Sequence, residues 1–426
     1  MALIIRFGSF IASYLLVFFI ARLYGASVLG TYTLAYTLIQ VMAILSLFGL
    51  DNLIVRTIAT AAGENKKSLI KSAYFHSLVI VISITLIISA LFYLFSDYIS
   101  TRVFHKPHFS YHLKIACFTL LPFVLISFHA ACFRGMKNMT GYSIFKLLIP
   151  AGTLLSIIIF SLTATPAVPI IGLFISILFW CVVSFIVWFR FAGLKNVLFE
   201  INDKPLKILS LSSPMLITGS VFFILGWVDN LCIGIFKSEH DLGIYDTAFK
   251  IAAASSVVLM ALNAIQAPVF AELHKKFELG RLQISAQSST RILFYTAFPL
   301  TVIICLFPKF ILGIFGNEFK EASLCLIILS VGNFISVISG SVGILLQMTG
   351  RQKQYNYIVM VAALINVVLN ITLIPKLGIL GAAIASSISK IFQNIASVIY
   401  VKRVFGFTTL YFPLIKPSSP ITKNAS

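Results

Sequence analysis

Apolar runs about as long as a bilayer is thick recur along this chain, and they leave it one class of fold. A helix needs about 20 predominantly apolar residues to cross the hydrocarbon core. Twelve runs approach or exceed that length, at 3–23, 32–54, 73–95, 113–133, 143–162, 167–189, 208–231, 244–270, 292–315, 322–348, 355–374 and 377–401. In lipid every backbone amide must find a partner, so runs of this kind are read as helices. The linkers are short and hold no room for a separate soluble catalytic domain. With 59% hydrophobic and 11% charged residues, an ordinary soluble domain is excluded.

The chain also repeats itself. Leu29-Gly-Thr-Tyr32 returns as Leu242-Gly-Ile-Tyr245, with Gly30 and Gly243 separated by 213 residues, half of the 426. Gly135-Met-Lys-Asn with Tyr142 is echoed by Gly350-Arg-Gln-Lys with Tyr357, 215 residues on. Pro169-Ile-Ile-Gly172 is echoed by Gly378-Ile-Leu-Gly381, 209 residues on. Three echoes in order at nearly one offset argue for two related halves, a pattern of transporters whose path runs between the repeats. The expected fold is therefore an all-α integral membrane protein of two six-helix bundles, 1–200 and 205–403, followed by a disordered cytoplasmic tail, 404–426.

Charge sets the orientation. The formal net charge is +19, and alternate linkers hold 21 Lys and Arg on one side against 8 on the other. The richer side, with both termini, is placed in the cytoplasm. Six spans per half is an even number, so both halves enter from the same side. They are then related by a parallel pseudo-twofold axis. Topology thus accounts for most of the basic residues, without nucleic acid. Recognition of an acidic substrate accounts for the few inside spans.

The six cysteines sit in apolar runs without Cys-x-x-Cys spacing and read as small buried hydrophobes. No cleavable signal peptide is evident at the start. His105, His108 and His112 have helical spacing but lie beside Pro107 in a loop, which disfavours a metal site. Pro122, Pro214 and Pro299 fall inside spans, where neighbouring helices absorb kinks.

Several stretches carry a family resemblance. They are Ala21-Arg-Leu-Tyr-Gly25 with Gly30-Thr-Tyr32, Phe48-Gly-Leu-Asp-Asn52 leading to Arg56, and Val228-Asp-Asn230. Further along come Leu242-Gly-Ile-Tyr-Asp-Thr-Ala-Phe-Lys250 and Ile374-Pro-Lys-Leu-Gly-Ile-Leu-Gly-Ala-Ala383. In order and spacing the chain resembles the polysaccharide transport family, the Wzx-type flippases of O-antigen and capsule repeat units. Their superfamily also holds multidrug exporters and lipid II flippases. The resemblance implies two bundles around a central cavity that opens to either side in turn. It implies a bacterial cytoplasmic (inner) membrane location and an undecaprenyl-pyrophosphate-linked oligosaccharide as cargo. Membrane lipids, a polysaccharide polymerase and a chain-length regulator are the implied partners, with no cofactor. The chain ends after span twelve, where several relatives carry fourteen, so a lipid groove of extra helices is not expected.

Ionisable residues inside a span are expensive and mark candidate path residues. Lys250 lies about two turns into span eight, where relatives of this family often place a basic residue. Asp246, one turn earlier, offers it a structural pairing instead. Arg6 and Arg22 stand at opposite ends of span one, and Lys390 joins Gln393 and Asn394 in a polar patch on span twelve. Asp229 and Asp51 are the acids nearest the membrane interior and the candidates for ion coupling, with Asp51 also able to pair with Arg56. Asn366 with Asn370, and Asn263 with Gln266, share helix faces and read as helix-to-helix glue.

The leading function is alternating-access transport of a lipid-linked oligosaccharide. A multidrug exporter would want acids in its cavity, against the 32 Lys plus Arg to 13 Asp plus Glu here. An integral membrane polymerase would want a large outer loop or a carboxylate cluster, and an enzyme is not expected.

Overall fold

A computed structural model describes residues 2–64, 66–160, 165–193, 211–212, 221, 225–411 and 413. Ten helices among the described residues are long and apolar enough to cross a membrane. The chain divides into two compact units, 1–223 with 234–243, and 224–233 with 244–426.

The first unit opens with α1 (Ala2–Leu47), whose apolar stretch from Gly8 runs 40 residues, twice the length of a span. Gly25 breaks it at φ 82°, a value that costs only glycine nothing, so α1 holds the first expected span and most of the second. The second ends early. Phe48 and Gly49 turn the chain with positive φ, and α2 (Leu50–Gly63) starts there. Then come α3 (Lys67–Leu94), the short α4 (Ser96–Tyr98), α5 (Phe109–Gly135), α6 (Met139–Phe160) and α7 (Val168–Ala192). Helix α5 is the hub and packs on α1, α2, α3, α6 and α7. It carries Pro122 without a break.

One polar chain threads this apolar hub. The Ser184 hydroxyl donates to the Cys181 carbonyl at 2.7 Å, so His129 Nδ1 must donate to Ser184 Oγ at 2.8 Å. Nε2 then accepts from the Tyr74 hydroxyl at 3.0 Å, and Trp188, Phe128 and Phe185 close around the group. Every member is satisfied, which is the condition for burying polar groups cheaply.

The next helices are α8 (Leu225–Phe236), too short by itself to span, and α9 (Glu239–Ala253), each divided between the two units. The rest of expected span seven, apart from 211–212 and 221, lies outside the described residues, Pro214 included. The second unit continues with α10 (Ser256–Lys275), α11 (Leu279–Leu306), α12 (Pro308–Gly313) and α13 (Ser323–Ile338). It finishes with α14 (Val342–Met348), α15 (Gln352–Leu377) and α16 (Ile379–Phe405). Two runs expected as single spans are therefore split. Span eight breaks at Ala254–Ser255, and span ten breaks at Ser339–Ser341 around Gly340, which has φ 77°.

The repeat is visible element by element. Helices α3 and α11 each hold 28 residues, and α7 and α16 each end on a left-handed glycine, Gly193 and Gly406, 213 apart. Gly350 (φ 76°) matches Lys137 (φ 59°), also 213 apart, not Gly135 as the sequence echo suggests. The backbone turn repeats, and the glycine does not.

The glycines of the main echo meet each other inside the first unit. A Cβ on Gly30 would lie 1.8 Å from the Glu239 carbonyl oxygen, and one on Gly243 would lie 2.0 Å from that of Ala26. Ala26 precedes Gly30 by four residues, as Glu239 precedes Gly243, so the contact between α1 and α9 is reciprocal. Small residues four apart are what lets two membrane helices touch backbone to backbone.

Past Arg403 the chain stays packed as far as Tyr411, later than the tail was expected to begin. Phe407 and Thr409 are buried, and the Thr409 hydroxyl donates to the Ser339 carbonyl at 2.8 Å. That carbonyl is freed by the break at Gly340, so the strap satisfies what the break exposes. The remaining expected tail, 412 and 414–426, lies outside the described residues apart from Pro413.

Candidate functional site

Asp229 sits on α8 with its carboxylate buried, and the second unit surrounds it with donors. The Tyr245 hydroxyl of α9 donates to Oδ2 at 2.8 Å, and the Ser386 hydroxyl of α16 donates to the same oxygen. Asn370 Nδ2 donates to Oδ1 at 2.6 Å, with Asn366 Nδ2 at 3.4 Å, both from α15. The two asparagines share a face because they are four residues apart. Rather than only gluing helices, they serve an acid 137 and 141 residues away. Their own carbonyl oxygens are buried and lack a hydrogen-bond partner among the described residues. Asp229 is thus a buried acid held by four donors from α9, α15 and α16.

Lys390 lies one turn beyond Ser386 on α16, half-buried, and donates to Asn333 Oδ1 at 2.5 Å. It borders two cavities of the second unit. One reaches Asn366 and Ser386 of the acid's shell. The other is lined by Asn263, Ser336, Ser341, Tyr355, Gln393 and Asn394. The expected patch of Lys390, Gln393 and Asn394 is therefore assembled. Gln393 Nε2 donates to the Tyr355 hydroxyl at 3.1 Å, and Asn394 Nδ2 donates to Ser336 Oγ at 3.0 Å. Gln266, its sequence partner Asn263 notwithstanding, ties α10 to Ser289 of α11 at 2.5 Å.

The other sequence candidates are placed differently. Lys250 pairs with Asp246 at 2.5 Å, in the last turn of α9, where the helix dipole favours a cation. Asp246 is 3% exposed and Lys250 33% in their side chains, so each needs the other, though water screens part of the pair. We expect Lys250→Ala and Asp246→Ala each to lower the membrane level of the protein, by roughly 1–3 kcal/mol of stability. The double variant should be no worse than either single one, since the pair is removed as a unit. Additive losses in quantitative immunoblots would rule the pairing out.

Arg22 is exposed on α1 three residues before the Gly25 break, and the Arg6 side chain lies outside the described residues. Asp51 stands in the first turn of α2, half-buried, where a negative charge suits the helix N-terminus. Its neighbour Asn52 accepts from Arg134 at 2.9 Å.

Sequence reasoning passed over Lys106, which it counted only for orientation. The Lys106 ammonium donates to the carbonyls of Gly234 and, at 2.9 Å, Lys237, at the end of α8. Burial holds its pKa below the usual lysine value, against the pull of Glu239 and Asp241. His108 Nε2 bonds Glu239 at 2.9 Å beside it. The histidine group thus supplies one clasp and no ligand set among the described residues.

Comparison with known proteins places this architecture. A family model described as polysaccharide biosynthesis protein matches residues 1–274. The chain belongs to that family. A second model, MatE, matches 214–372. The Haloferax volcanii protein described as probable low-salt glycan biosynthesis flippase Agl15 is 27% identical over 195 residues, 46% of this chain and 40% of that one. Staphylococcus aureus capsular polysaccharide biosynthesis protein CapF is 23% identical over 236 residues, 53% of this chain and 58% of that one. The aligned regions span about half the length of these curated relatives. Among solved structures, lipid II flippase MurJ in an inward closed conformation has a TM-score of 0.78 at 16% identity, covering 94% of this chain and 87% of that one. An inward-facing multidrug resistance MATE family transporter has a TM-score of 0.75 at 15% identity, covering 95% and 98%. At these identities the likeness is one of fold, and it is the all-α membrane fold expected from the apolar runs. In this polysaccharide biosynthesis family member, the Asp229 shell and the cavities beside Lys390 lie in the second unit. The first unit keeps its polar chain sealed among aromatics.

Proposed function

We propose that the protein is a flippase that carries a lipid-linked oligosaccharide across the cytoplasmic membrane by alternating access, coupled to a monovalent cation at Asp229. The observation that carries the reading is Lys390. Its ammonium stands on a membrane-spanning helix, beside an amide- and hydroxyl-lined chamber, with no carboxylate bonded to it among the described residues. An ionisable group held this way marks a path for polar cargo. A lipid-linked glycan brings negative charge and many hydroxyls, and a single ammonium beside amides and hydroxyls suits both. The flippase names of relatives such as Agl15 support the same cargo class.

In finer terms, the cargo is an undecaprenyl-pyrophosphate-linked repeat unit of O-antigen, capsule or exopolysaccharide in a bacterial inner membrane. Both termini lie in the cytoplasm, and a polymerase and a chain-length regulator act next. Arg22, exposed on α1, adds positive charge along the path. The cation acts through charge balance. With it, the Asp229 charge is neutralised; without it, the buried carboxylate is held by its four donors alone, which favours a different packing of α8, α15 and α16.

Export of cationic drugs is the second reading, favoured by the MatE match over 214–372. It ranks lower because the charge bordering the chamber is a lysine, which repels such cargo. Reconstitution in proteoliposomes with a fluorescent undecaprenyl-pyrophosphate-linked oligosaccharide tests the leading reading. We expect protein-dependent movement between leaflets, accelerated by an imposed sodium or proton gradient. Movement no faster than in empty liposomes, under gradients of either direction, would end it.

A further inference from the structure

The chamber beside Lys390 has a composition more particular than positive charge. An ammonium has three N–H donors, and among the described residues Lys390 uses one, on Asn333 at the wall of the neighbouring cavity. Ser341 and Asn263 line the same space, and Ser341 Oγ and Asn263 Oδ1 are buried and without hydrogen-bond partners among the described residues. Ser341 is 5% exposed, so its hydroxyl is withdrawn from bulk water as well. Gly343 makes room for the Tyr355 hydroxyl at the wall, since a Cβ there would lie 2.6 Å from it. Gln347 and Gln393 add amide groups.

Amides and hydroxyls that both donate and accept match the ring hydroxyls of a sugar. The charge count is more selective. Lys390 is the one Lys or Arg among the described lining residues and no carboxylate is among them, while Asp229, outside that lining, acts electrostatically on the ammonium. A pyrophosphate would bring two or more negative charges to one cation and leave the excess unpaired. A sugar carboxylate brings one.

We propose that this chamber binds an acidic sugar residue of the glycan, a hexuronate, with its carboxylate on Lys390 and its ring hydroxyls on Asn263, Ser341 and Gln393. The proposal rests on the flippase reading and names the class of glycan that the protein prefers.

The test uses the purified full-length protein in detergent. Binding of D-glucuronate, its methyl ester, glucose and inorganic pyrophosphate is compared by thermal unfolding and calorimetry. Glucuronate should bind at least tenfold more tightly than the ester or glucose. Lys390→Gln should erase that preference, and Lys390→Arg should retain most of it. The comparison of acid with ester in the unaltered protein decides the matter even if a variant fails to fold. Equal affinity for acid and ester overturns the proposal, and tighter binding of pyrophosphate reassigns the chamber to the lipid's phosphates. Proteoliposomes separate the two readings. Equal transport of lipid-linked glycans with and without a uronate overturns the acidic-sugar preference and leaves the flippase standing. Glucuronate binding with no transport of either glycan overturns the flippase and leaves the site.

Discussion

Asp229→Asn should abolish the cation dependence of transport and lower gradient-driven transport at least tenfold, while the protein still folds. Asparagine keeps the shape and an acceptor for the Tyr245 and Ser386 hydroxyls, but it removes the charge that a cation needs. An unpaired buried carboxylate is costly, so the neutral variant should be no less stable than the cation-free protein. Cation binding itself should then be visible as stability. A ligand at 100 times its Kd adds about 2.7 kcal/mol to the folded state. Unfolding of the unaltered protein should therefore shift upward with sodium or another monovalent cation, and Asp229→Asn should show no shift. A variant that still responds to the cation would place the coupling site elsewhere.

Gly30→Ala should be among the most damaging single-methyl changes available in the first unit. Alanine in place of glycine normally favours a helix by about 1 kcal/mol. Here the added carbon would lie 1.8 Å from the Glu239 carbonyl oxygen, and that atom belongs to backbone, so no rotamer change relieves it. Overpacking typically costs about 1–3 kcal/mol, and a backbone clash stands at or beyond the upper end, so the clash wins. Gly243→Ala meets the Ala26 carbonyl in the same way. Gly63→Ala, where a Cβ meets nothing within 4 Å, is the control. Thermal unfolding should show a drop of several degrees for Gly30→Ala and Gly243→Ala and little change for Gly63→Ala, since about 1 kcal/mol moves a midpoint by a few degrees. Equal midpoints for all three would mean that α1 and α9 do not touch.

These two sites show how far the sequence could be read. Spans were legible because lipid imposes their length, and the Gly30–Gly243 echo was legible as a repeat. That the echoed glycines press against each other was not, because identity between two positions says nothing of their distance. Asn366 and Asn370 were recognisable as one helix face, since helical period is local. Their partner Asp229 was named separately, and only the fold joins them. Lys106 was invisible for a related reason: its acceptors are backbone carbonyls, which leave no trace in side-chain patterns. The breaks at Ser339–Ser341 and Ala254–Ser255 were hidden because small residues pass in a membrane helix as readily as they end one.

Ser386 and Lys390 are one turn apart on α16, and that spacing has a thermodynamic consequence. A helix turn is stiff, so an ion drawing on Ser386 and a sugar drawing on Lys390 each bias the same short rod. Two ligands that bias one element share a single interaction free energy, and it acts equally in both directions. By whatever factor sodium tightens the sugar, the sugar must tighten sodium. Where that factor exceeds one, cargo helps to load its own fuel; where it falls below one, ion and cargo displace each other.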